Sequence, residues 1–288
     1  MKKLGFIGAG NMAEALARGL VENKVFKPSE LIASDVDPAR RHRFKSALKI
    51  EATTGNLEVL NSSRAVLFAV KPQTIDAVLS ELAAAGGGSS GAPQTGARRA
   101  RTEGLAPRLF VSIAAGVTLG RLEGALGGRA RVIRVMPNAP AMVGQGMAAL
   151  VRGRNATRAD EAFALKIFRA VGDAVALKDE TLLDVVTALS GSGPAYVYLF
   201  IKSLADAAVA EGLPAELALR MALKTVRGAE ENMRRSPMAA AELIRIVASP
   251  GGTTEAALKQ LGADGFSAIV ARAVHAAADR SRELGRTS

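Results

Sequence analysis

The pattern of hydrophobic positions divides the chain into two parts that meet near residue 155. Before that point, short apolar and β-branched runs alternate with helical patterns, and six runs have the length of strands: LGFIG, ELIASD, AVLFAV, LFVSIAA, RVIRVM and GMAALV. Strands that alternate with helices predict a parallel sheet with helical crossovers. Later apolar residues recur at helical spacing, which predicts helices at 158–172, 180–189, 195–213, 215–233 and 265–284. We therefore expect an α/β domain over residues 1–155, followed by an all-helical domain over residues 156–288.

One segment of the first part fits neither pattern. Residues from about 86 to 107 are rich in Gly, Ser, Ala and Arg and carry almost no side chains that a core would bury. This composition predicts a flexible surface insertion between two strands. A lid over a functional site is the alternative, because long loops are often functional.

The composition is that of a globular protein. The 288 residues are 49% hydrophobic and 23% charged, which is enough apolar material for a large core. The formal charge of +11 could attract nucleic acid, but aromatic residues for base stacking are few and no nucleic-acid motif is present. We expect no nucleic-acid partner, because the positive charge equally suits a small phosphorylated ligand or a soluble surface.

Cysteine is absent and histidine is scarce. Without cysteine there is no disulfide, thiolate nucleophile or zinc–cysteine site, and His42 and His275 are too far apart in sequence to suggest a metal cluster. We predict no bound metal and a cytoplasmic location. The apolar run at residues 195–210 is interrupted by Lys202 and Asp206 and is shorter than the roughly 20 residues of a membrane-spanning helix, so we predict no membrane segment.

The first glycine-rich turn has the form of a dinucleotide fingerprint. Gly8, Gly10 and Ala13 give the G-x-G-x-x-A spacing directly after the first predicted strand and at the start of an amphipathic helix. Gly8 allows the tight turn, Gly10 the approach of a pyrophosphate and Ala13 close helix packing, while helix N–H groups bind the phosphates. The second strand ends at Ser34 and Asp35, where this fingerprint places the adenosine ribose.

The type of nicotinamide cofactor stays open at this point. Asp35 would accept a hydrogen bond from a ribose 2′-hydroxyl and repel a 2′-phosphate, which favours NADH. Ser34, Arg40 and Arg41 would bind that phosphate and favour NADPH. The stretch DPARR also has a purely structural interpretation, in which Asp37 caps the next helix.

A second glycine-rich turn, SPGGTTEAAL at residues 249–258, precedes a run of helix formers. Such a helix start presents free backbone N–H groups to an anion, unless the threonines merely cap the helix. No general acid stands out in the helical part, and no base accompanies Ser190 or Ser192, so we exclude hydrolase chemistry. A protonated imine, which accepts hydride with little acid assistance, fits these residues better than a hydroxy acid does.

Seven stretches together closely resemble the pyrroline-5-carboxylate reductase family over nearly the whole chain: GFIGAGNMAEALARGL, FAVKPQ, VSIAAGVTLGRLE, RVMPNAP, LSGSGPAYVYLFIKSLADAAV, GLP and SPGGTTEAAL. The insertion and the stretch MRRSPMAAAEL depart from the family pattern. The resemblance implies reduction of 1-pyrroline-5-carboxylate to L-proline, the last step of proline biosynthesis, with NADPH as cofactor and NADH as the alternative. It also implies a Rossmann-type domain and a helical dimerisation domain, hence a dimer or a higher homo-oligomer.

The resemblance also implies roles for individual residues. Those that would hold the dinucleotide are Gly8, Gly10, Asn11, Met12, Ala13, Ser34, Asn56, Ala69, Val70, Lys71 and Pro72. Those that would hold the substrate are Ser192, Gly193, Ser249, Gly251, Gly252, Thr253 and Thr254. Thr254 and Lys71 would be catalytic, although a merely solvated Lys71 is the alternative. MPNAP at 136–140 would form a wall near the nicotinamide, or it is an ordinary proline-stiffened loop.

Two other functions stay open. One is a related imine or β-hydroxyacid oxidoreductase, although the helical part lacks the Lys-x-x-x-Asn pair of the hydroxyacid enzymes. The other is a protein that senses NADP without catalysis, which the intact SPGGTT stretch disfavours.

Overall fold

The computed structural model describes residues 1–86, 108–127 and 129–287. The insertion that the sequence predicts at about 86–107 therefore lies outside the described residues, apart from its first position. The chain divides into two compact units, one made of Met1–Gly191 with Ala277–Ser288 and the other of Ser192–Ala276.

The first unit is built on one eight-stranded sheet. Its strands are β1 (Lys2–Ile7), β2 (Leu31–Ser34), β3 (Glu51–Thr53), β4 (Ser63–Phe68), β5 (Leu109–Ser112), β6 (Arg131–Met136), β7 (Gly146–Arg152) and β8 (Gly172–Leu177). Their spatial order is β3-β2-β1-β4-β5-β6-β7-β8, and every neighbouring pair is parallel except β6 and β7. The predicted strands are all present, and the predicted α/β class is confirmed.

Helices cover both faces of this sheet. Those of the first unit are α1 (Asn11–Glu22), α2 (Pro38–Leu48), α3 (Asn56–Ser62), α4 (Ile75–Gly86), α5 (Leu119–Leu126), α6 (Arg158–Phe168) and α7 (Leu182–Val186). Neighbouring residues of a strand face opposite sides, so Phe6 packs in one core and Ile7 in the other. In the second core the rings of Phe68 and Phe110 stack with centroids 5.7 Å apart.

Sequence patterning does not predict β3 or β8. β3 has three residues, too few to show an alternation, and β8 fully buries only Ala174 at its centre. β8 pairs in parallel with β7, so the sheet continues beyond residue 155, where we expected the helical domain to begin. The division between the compact units accordingly falls after Gly191.

The second unit is helical throughout. Its helices are α8 (Gly193–Ala210), α9 (Ala215–Arg235), α10 (Ala240–Val247), α11 (Thr253–Ala263) and the first part of α12 (Phe266–Thr287). Its buried core consists of small side chains, whereas Tyr198 and Leu199 are 63% and 65% exposed, and Leu199 lines an apolar groove of about 600 Å³. Exposed apolar surface of this kind marks a protein–protein interface. No helix within the described ranges is long and apolar enough to cross a bilayer.

Helix α1 packs very closely on the segment that leads into β8. A Cβ at Gly19 would lie 2.3 Å from Val171 Cγ1 and 2.7 Å from the carbonyl oxygen of Ala170. The same carbonyl accepts a hydrogen bond from Asn23 Nδ2 at 2.9 Å. The first helix is therefore held against the far half of the sheet, at a distance that only glycine allows.

We expect Gly19→Ala to lower the melting temperature by several degrees, because overpacking costs about 1–3 kcal/mol. Gly124→Ala is the matched control, since no described atom lies within 4 Å of a Cβ at this exposed position of α5. It should raise the melting temperature slightly, because alanine is favoured over glycine in a helix by about 1 kcal/mol. Scanning calorimetry measures both variants, and shifts of the same sign would contradict the close packing of α1.

Candidate active site

A cleft of about 640 Å³ opens at the carboxyl ends of β1, β2 and β4. Since β1 lies between the other two, the strand order reverses here, and open α/β sheets bind ligands at this switch point. Most of the predicted dinucleotide residues line the cleft, namely Gly8, Gly10, Asn11, Met12, Ser34, Asn56, Ala69, Val70 and Lys71. Two do not: Ala13 is buried where α1 meets the sheet, and Pro72 begins a short 3-10 turn after Lys71.

The first glycine turn is held against the end of β4. Gly8 has a φ of 95°, and a Cβ there would lie 2.9 Å from backbone atoms of Ala69 and Val70. The Gly8 N–H donates to Ser34 O at 2.8 Å, and the Ala69 N–H donates to Ile7 O at 2.8 Å. The ends of β1, β2 and β4 therefore meet at a turn that requires glycine.

The start of α1 has the geometry of a pyrophosphate site. Gly10 is the N-cap residue, and its missing side chain leaves open space, with no described atom within 4 Å of a Cβ. No acceptor among the described residues is bonded to the N–H groups of Asn11, Met12 and Ala13. These donors, at the positive end of the helix, suit the two negative charges of a pyrophosphate.

Asp35 is buried at the end of β2, and its carboxylate already has partners. Oδ2 accepts from the Ala9 N–H at 2.8 Å, Oδ1 accepts from the Asp37 N–H at 2.9 Å, and Arg40 Nη1 lies 3.4 Å from Oδ2. Burial would raise the pKa of Asp35, but the two N–H groups and the guanidinium outweigh it and hold the pKa below its usual value. The ionised carboxylate thus fastens the glycine turn to β2.

The two arginines that follow Asp35 have different contacts. Arg40 lines the cleft. Arg41 donates from Nη1 to the carbonyl oxygens of Asp35 and Val36, at 2.7 and 2.8 Å, and is not among the described residues that line the cleft. Arg40 is therefore the arginine whose charge is offered to a ligand.

A chain of hydrogen bonds crosses the cleft from β2 to α4. The Ser34 hydroxyl is fully buried and donates to Asn56 Oδ1 at 2.7 Å, and Asn56 Nδ2 donates to Glu81 Oε2 at 2.7 Å. Thr74, in the 3-10 turn that begins at Pro72, and the α4 residues of the cleft, including Glu81, were not predicted from the sequence. No motif marks them, because the helical pattern of α4 reports only its apolar face.

Lys71 lies directly after β4 at the edge of the cleft. Its carbonyl oxygen accepts from the N–H and from the hydroxyl of Thr74, both at 2.9 Å. These bonds fix the turn while the lysine side chain stays exposed. Its position at the sheet edge is the predicted one, and its catalytic role stays a prediction.

The turn after β6, which contains MPNAP, is held by the buried side chain of Asn138. Nδ2 donates to Ser190 O at 3.0 Å, and Oδ1 accepts from the Met147 N–H at 2.8 Å. Ser190 belongs to a π-helical turn, Thr187–Gly191, and its hydroxyl donates to Val186 O at 3.1 Å. The proline-rich turn thus has a fixed conformation, and its role as a wall beside a nicotinamide stays a prediction.

The second glycine turn lies in the second unit. Gly251 has a φ of 69°, and Gly252 is the N-cap residue of α11. The Gly251 N–H donates to Glu255 Oε2 at 2.7 Å, and the Gly252 N–H donates to Ser249 O at 2.9 Å. The sequence predicts that this helix start presents free N–H groups to an anion and that both glycines help to hold the substrate, but the turn uses the N–H groups of Gly251 and Gly252 internally.

The free donors of this turn lie one residue further along. Within the described part of the chain, the N–H groups of Thr253 and Thr254 have no acceptor, and no side chain caps α11. Plain capping therefore does not account for the threonines. Ser192 and Gly193 stand at the start of α8, where Ser192 is the N-cap residue and its side chain makes no capping bond.

Comparisons with known proteins give matches over nearly the whole chain. Residues 180–284 match a family model described as pyrroline-5-carboxylate reductase dimerisation, and residues 3–89 match one described as NADP oxidoreductase coenzyme F420-dependent. The pyrroline-5-carboxylate reductase of Methanosarcina acetivorans is 39% identical over 285 residues, which are 99% of this chain and 98% of that protein. That of Synechocystis sp. is 40% identical over 284 residues, with 99% and 98% covered.

Solved structures give the same result. A pyrroline-5-carboxylate reductase from Coxiella burnetii superposes with a TM-score of 0.86 at 31% identity, covering 98% of both chains. The NADP-bound pyrroline carboxylate reductase of Plasmodium falciparum superposes with a TM-score of 0.82 at 31% identity, covering 99% of this chain and 98% of that one. The resemblance seen in the sequence motifs is confirmed, as is the combination of a Rossmann-type domain with a helical dimerisation domain. This chain belongs to the pyrroline-5-carboxylate reductase family.

Proposed function

We propose that the protein reduces 1-pyrroline-5-carboxylate to L-proline with NADPH or NADH, the last step of proline biosynthesis. The observation that carries the proposal is the cleft at the switch point of the sheet, with an open helix start for a pyrophosphate, in a chain 39–40% identical to named reductases along its length. When bound, the reduced nicotinamide supplies the hydride that the imine carbon accepts. The protein is an oxidoreductase that acts on a C=N bond.

The chain's own residues bind and position the reactants. The N–H groups of α1 bind the pyrophosphate, and the ammonium of Lys71 adds positive charge at the edge of the cleft. In the second unit, the N–H groups of Thr253 and Thr254 bind the substrate carboxylate, and the Thr254 hydroxyl hydrogen-bonds the imine nitrogen. Ser249, Gly251 and Gly252 shape that turn, and Ser192 and Gly193 complete the substrate set.

We assign dinucleotide binding to the first unit, and substrate binding together with dimerisation to the second unit. The substrate is 1-pyrroline-5-carboxylate, the product is L-proline, and a second copy of the chain is the macromolecular partner. A cytoplasmic location belongs to the same proposal, and cell fractionation tests it.

The test of the function is a substrate panel. NADPH and NADH oxidation are followed separately with 1-pyrroline-5-carboxylate, with other cyclic imines and with β-hydroxy acids. Oxidation that requires 1-pyrroline-5-carboxylate supports the proposal. Turnover of another imine or of a hydroxy acid alone would select the related oxidoreductase, and dinucleotide binding without any turnover would select an NADP sensor.

Thr254→Val removes the hydroxyl and keeps the β-branched shape. A lost substrate hydrogen bond of about 0.5–1.5 kcal/mol, more if charge-assisted, should lower kcat/KM roughly threefold to a hundredfold. NADPH affinity and melting temperature should stay unchanged, because no capping bond at α11 is lost.

Thr157→Val is the matched control, because Thr157 does cap a helix. Its hydroxyl accepts from the Asp160 N–H at 3.2 Å at the start of α6. This control should lower the stability by about 1 kcal/mol and leave kcat/KM unchanged. A Thr254 variant that behaves like the control would show that we have misplaced the substrate.

We infer that NADPH is preferred, because Arg40 faces the cleft while the carboxylate of Asp35 is bonded to the glycine turn. Arg40→Gln should lower kcat/KM with NADPH about 10- to 100-fold, the value of a charge-assisted hydrogen bond, and should change kcat/KM with NADH little. Arg41→Gln, which loses contacts to backbone carbonyls, should affect both cofactors alike. If Arg41→Gln instead lowered kcat/KM with NADPH alone, Arg41 and not Arg40 would be the residue that selects NADPH.

The dimer is predicted to form through residues after about 160, as the exposed apolar groove of the second unit indicates. Leu199→Glu places a charge on this groove and should shift the mass measured by light scattering at micromolar concentration toward that of one chain. Val143→Glu in the turn after β6 is the control, because Val143 is also exposed but lies in the first unit, before residue 160. An active monomer of the unmodified chain would overturn the prediction.

A further inference from the structure

Part of the lining of the dinucleotide cleft is apolar, in contrast to the glycine turn. Val36, Ala77 and Val78 belong to this lining, and Val36 is 88% exposed despite its apolar side chain. Phosphates belong at the N–H groups of α1, whereas a flat aromatic base gains most where it covers apolar side chains. The apolar side chains of the lining are therefore where the base of a bound dinucleotide fits.

Two polar side chains of the same lining, Asn56 and Glu81, have a fixed orientation, and Glu81 lies one helical turn after Ala77 and Val78 on α4. Asn56 Oδ1 accepts from the buried Ser34 hydroxyl at 2.7 Å, so its Nδ2 must face Glu81, where it donates to Oε2 at 2.7 Å. The second N–H of Asn56 Nδ2 and the second oxygen of Glu81 have no partner among the described residues. A donor and an acceptor are thus held side by side at the edge of the cleft.

We propose that Asn56 and Glu81 form a pair that recognises the edge of adenine, an inference that rests on the proposed function. On one edge adenine presents the 6-amino group, which donates, and the ring nitrogen N7, which accepts, so the carboxylate of Glu81 would take the amino group and Asn56 Nδ2 would donate to N7, which hypoxanthine keeps as an acceptor. Hypoxanthine carries a carbonyl oxygen in place of the amino group. The carboxylate of Glu81 would then face another acceptor, which is repulsive.

A purely structural role for Glu81 has a different consequence. The bond to Asn56 joins α4 to α3, and if that connection were its whole role, losing it would loosen the cleft for every dinucleotide equally. The selectivity of the chain between two bases therefore distinguishes base recognition by Glu81 from a purely structural role of this residue.

The experiment measures equilibrium binding by calorimetry with two probes, NADP+ and nicotinamide hypoxanthine dinucleotide phosphate. The unmodified chain should bind NADP+ about tenfold more tightly than the hypoxanthine analogue, the discrimination typical of one good edge contact. Glu81→Gln should reduce this ratio to about twofold or less, because an amide can donate to the hypoxanthine oxygen. Glu58→Gln is the matched control: Glu58 is exposed on α3 and accepts from the Thr53 hydroxyl, and it should keep the ratio of the unmodified chain.

Two results would overturn the inference while the proposed function stands. One is equal affinity of the unmodified chain for both probes, and the other is an equal loss of affinity for both in Glu81→Gln. In either case the NADPH-dependent reduction of 1-pyrroline-5-carboxylate, assayed in parallel, would persist. Failure of the unmodified chain to bind either probe would overturn the inference and the proposed function together.

Discussion

The close approach of Gly8 to the end of β4 is the constraint on which the first unit depends. Because a Cβ would lie 2.9 Å from the backbone of Ala69 and Val70, the chain can turn from β1 into α1 here only without a side chain. The turn brings the first N–H groups of α1 to the carboxyl edge of the sheet. The geometry for binding a phosphate therefore follows from backbone packing and not from charged side chains.

The buried carboxylate of Asp35 secures that turn. The free-energy cost of removing this carboxylate from water is offset by its hydrogen bonds with the N–H groups of Ala9 and Asp37 and by the guanidinium of Arg40. The pKa of Asp35 is lower in the folded chain than in the unfolded chain. The stabilisation by its ionised carboxylate is therefore present above the pKa that Asp35 has in the unfolded chain, and it is lost as the pH falls through the pKa in the folded chain. The acidic residue that the dinucleotide fingerprint assigns to the ribose therefore has a structural role in this chain, and Arg40 is the arginine that lines the cleft.

The second unit has a core of a different kind, with large apolar residues on its surface. Ala205, Ala218 and Ala222 form a core of small side chains, so the helices approach closely and large apolar residues such as Tyr198 and Leu199 remain outside. Exposing that much apolar surface to water is unfavourable, and covering it with a second copy removes the cost. The match of residues 180–284 to a dimerisation model agrees with this account of self-association.

The sequence by itself determined the features that depend on neighbouring residues: the apolar runs of the strands, the helical periodicity, the spacing of Gly8, Gly10 and Ala13, and the motif order that indicates the family. The tertiary structure decided the rest. β8 is recognisable as a strand only through its pairing with β7, since its own pattern buries little. Asn56 and Glu81 meet across 25 positions, and the internal bond of the Gly251 N–H depends on where one glutamate side chain lies. Hydrogen bonds of this kind are set by how helices and strands pack, and packing between distant segments leaves no periodic trace in the sequence.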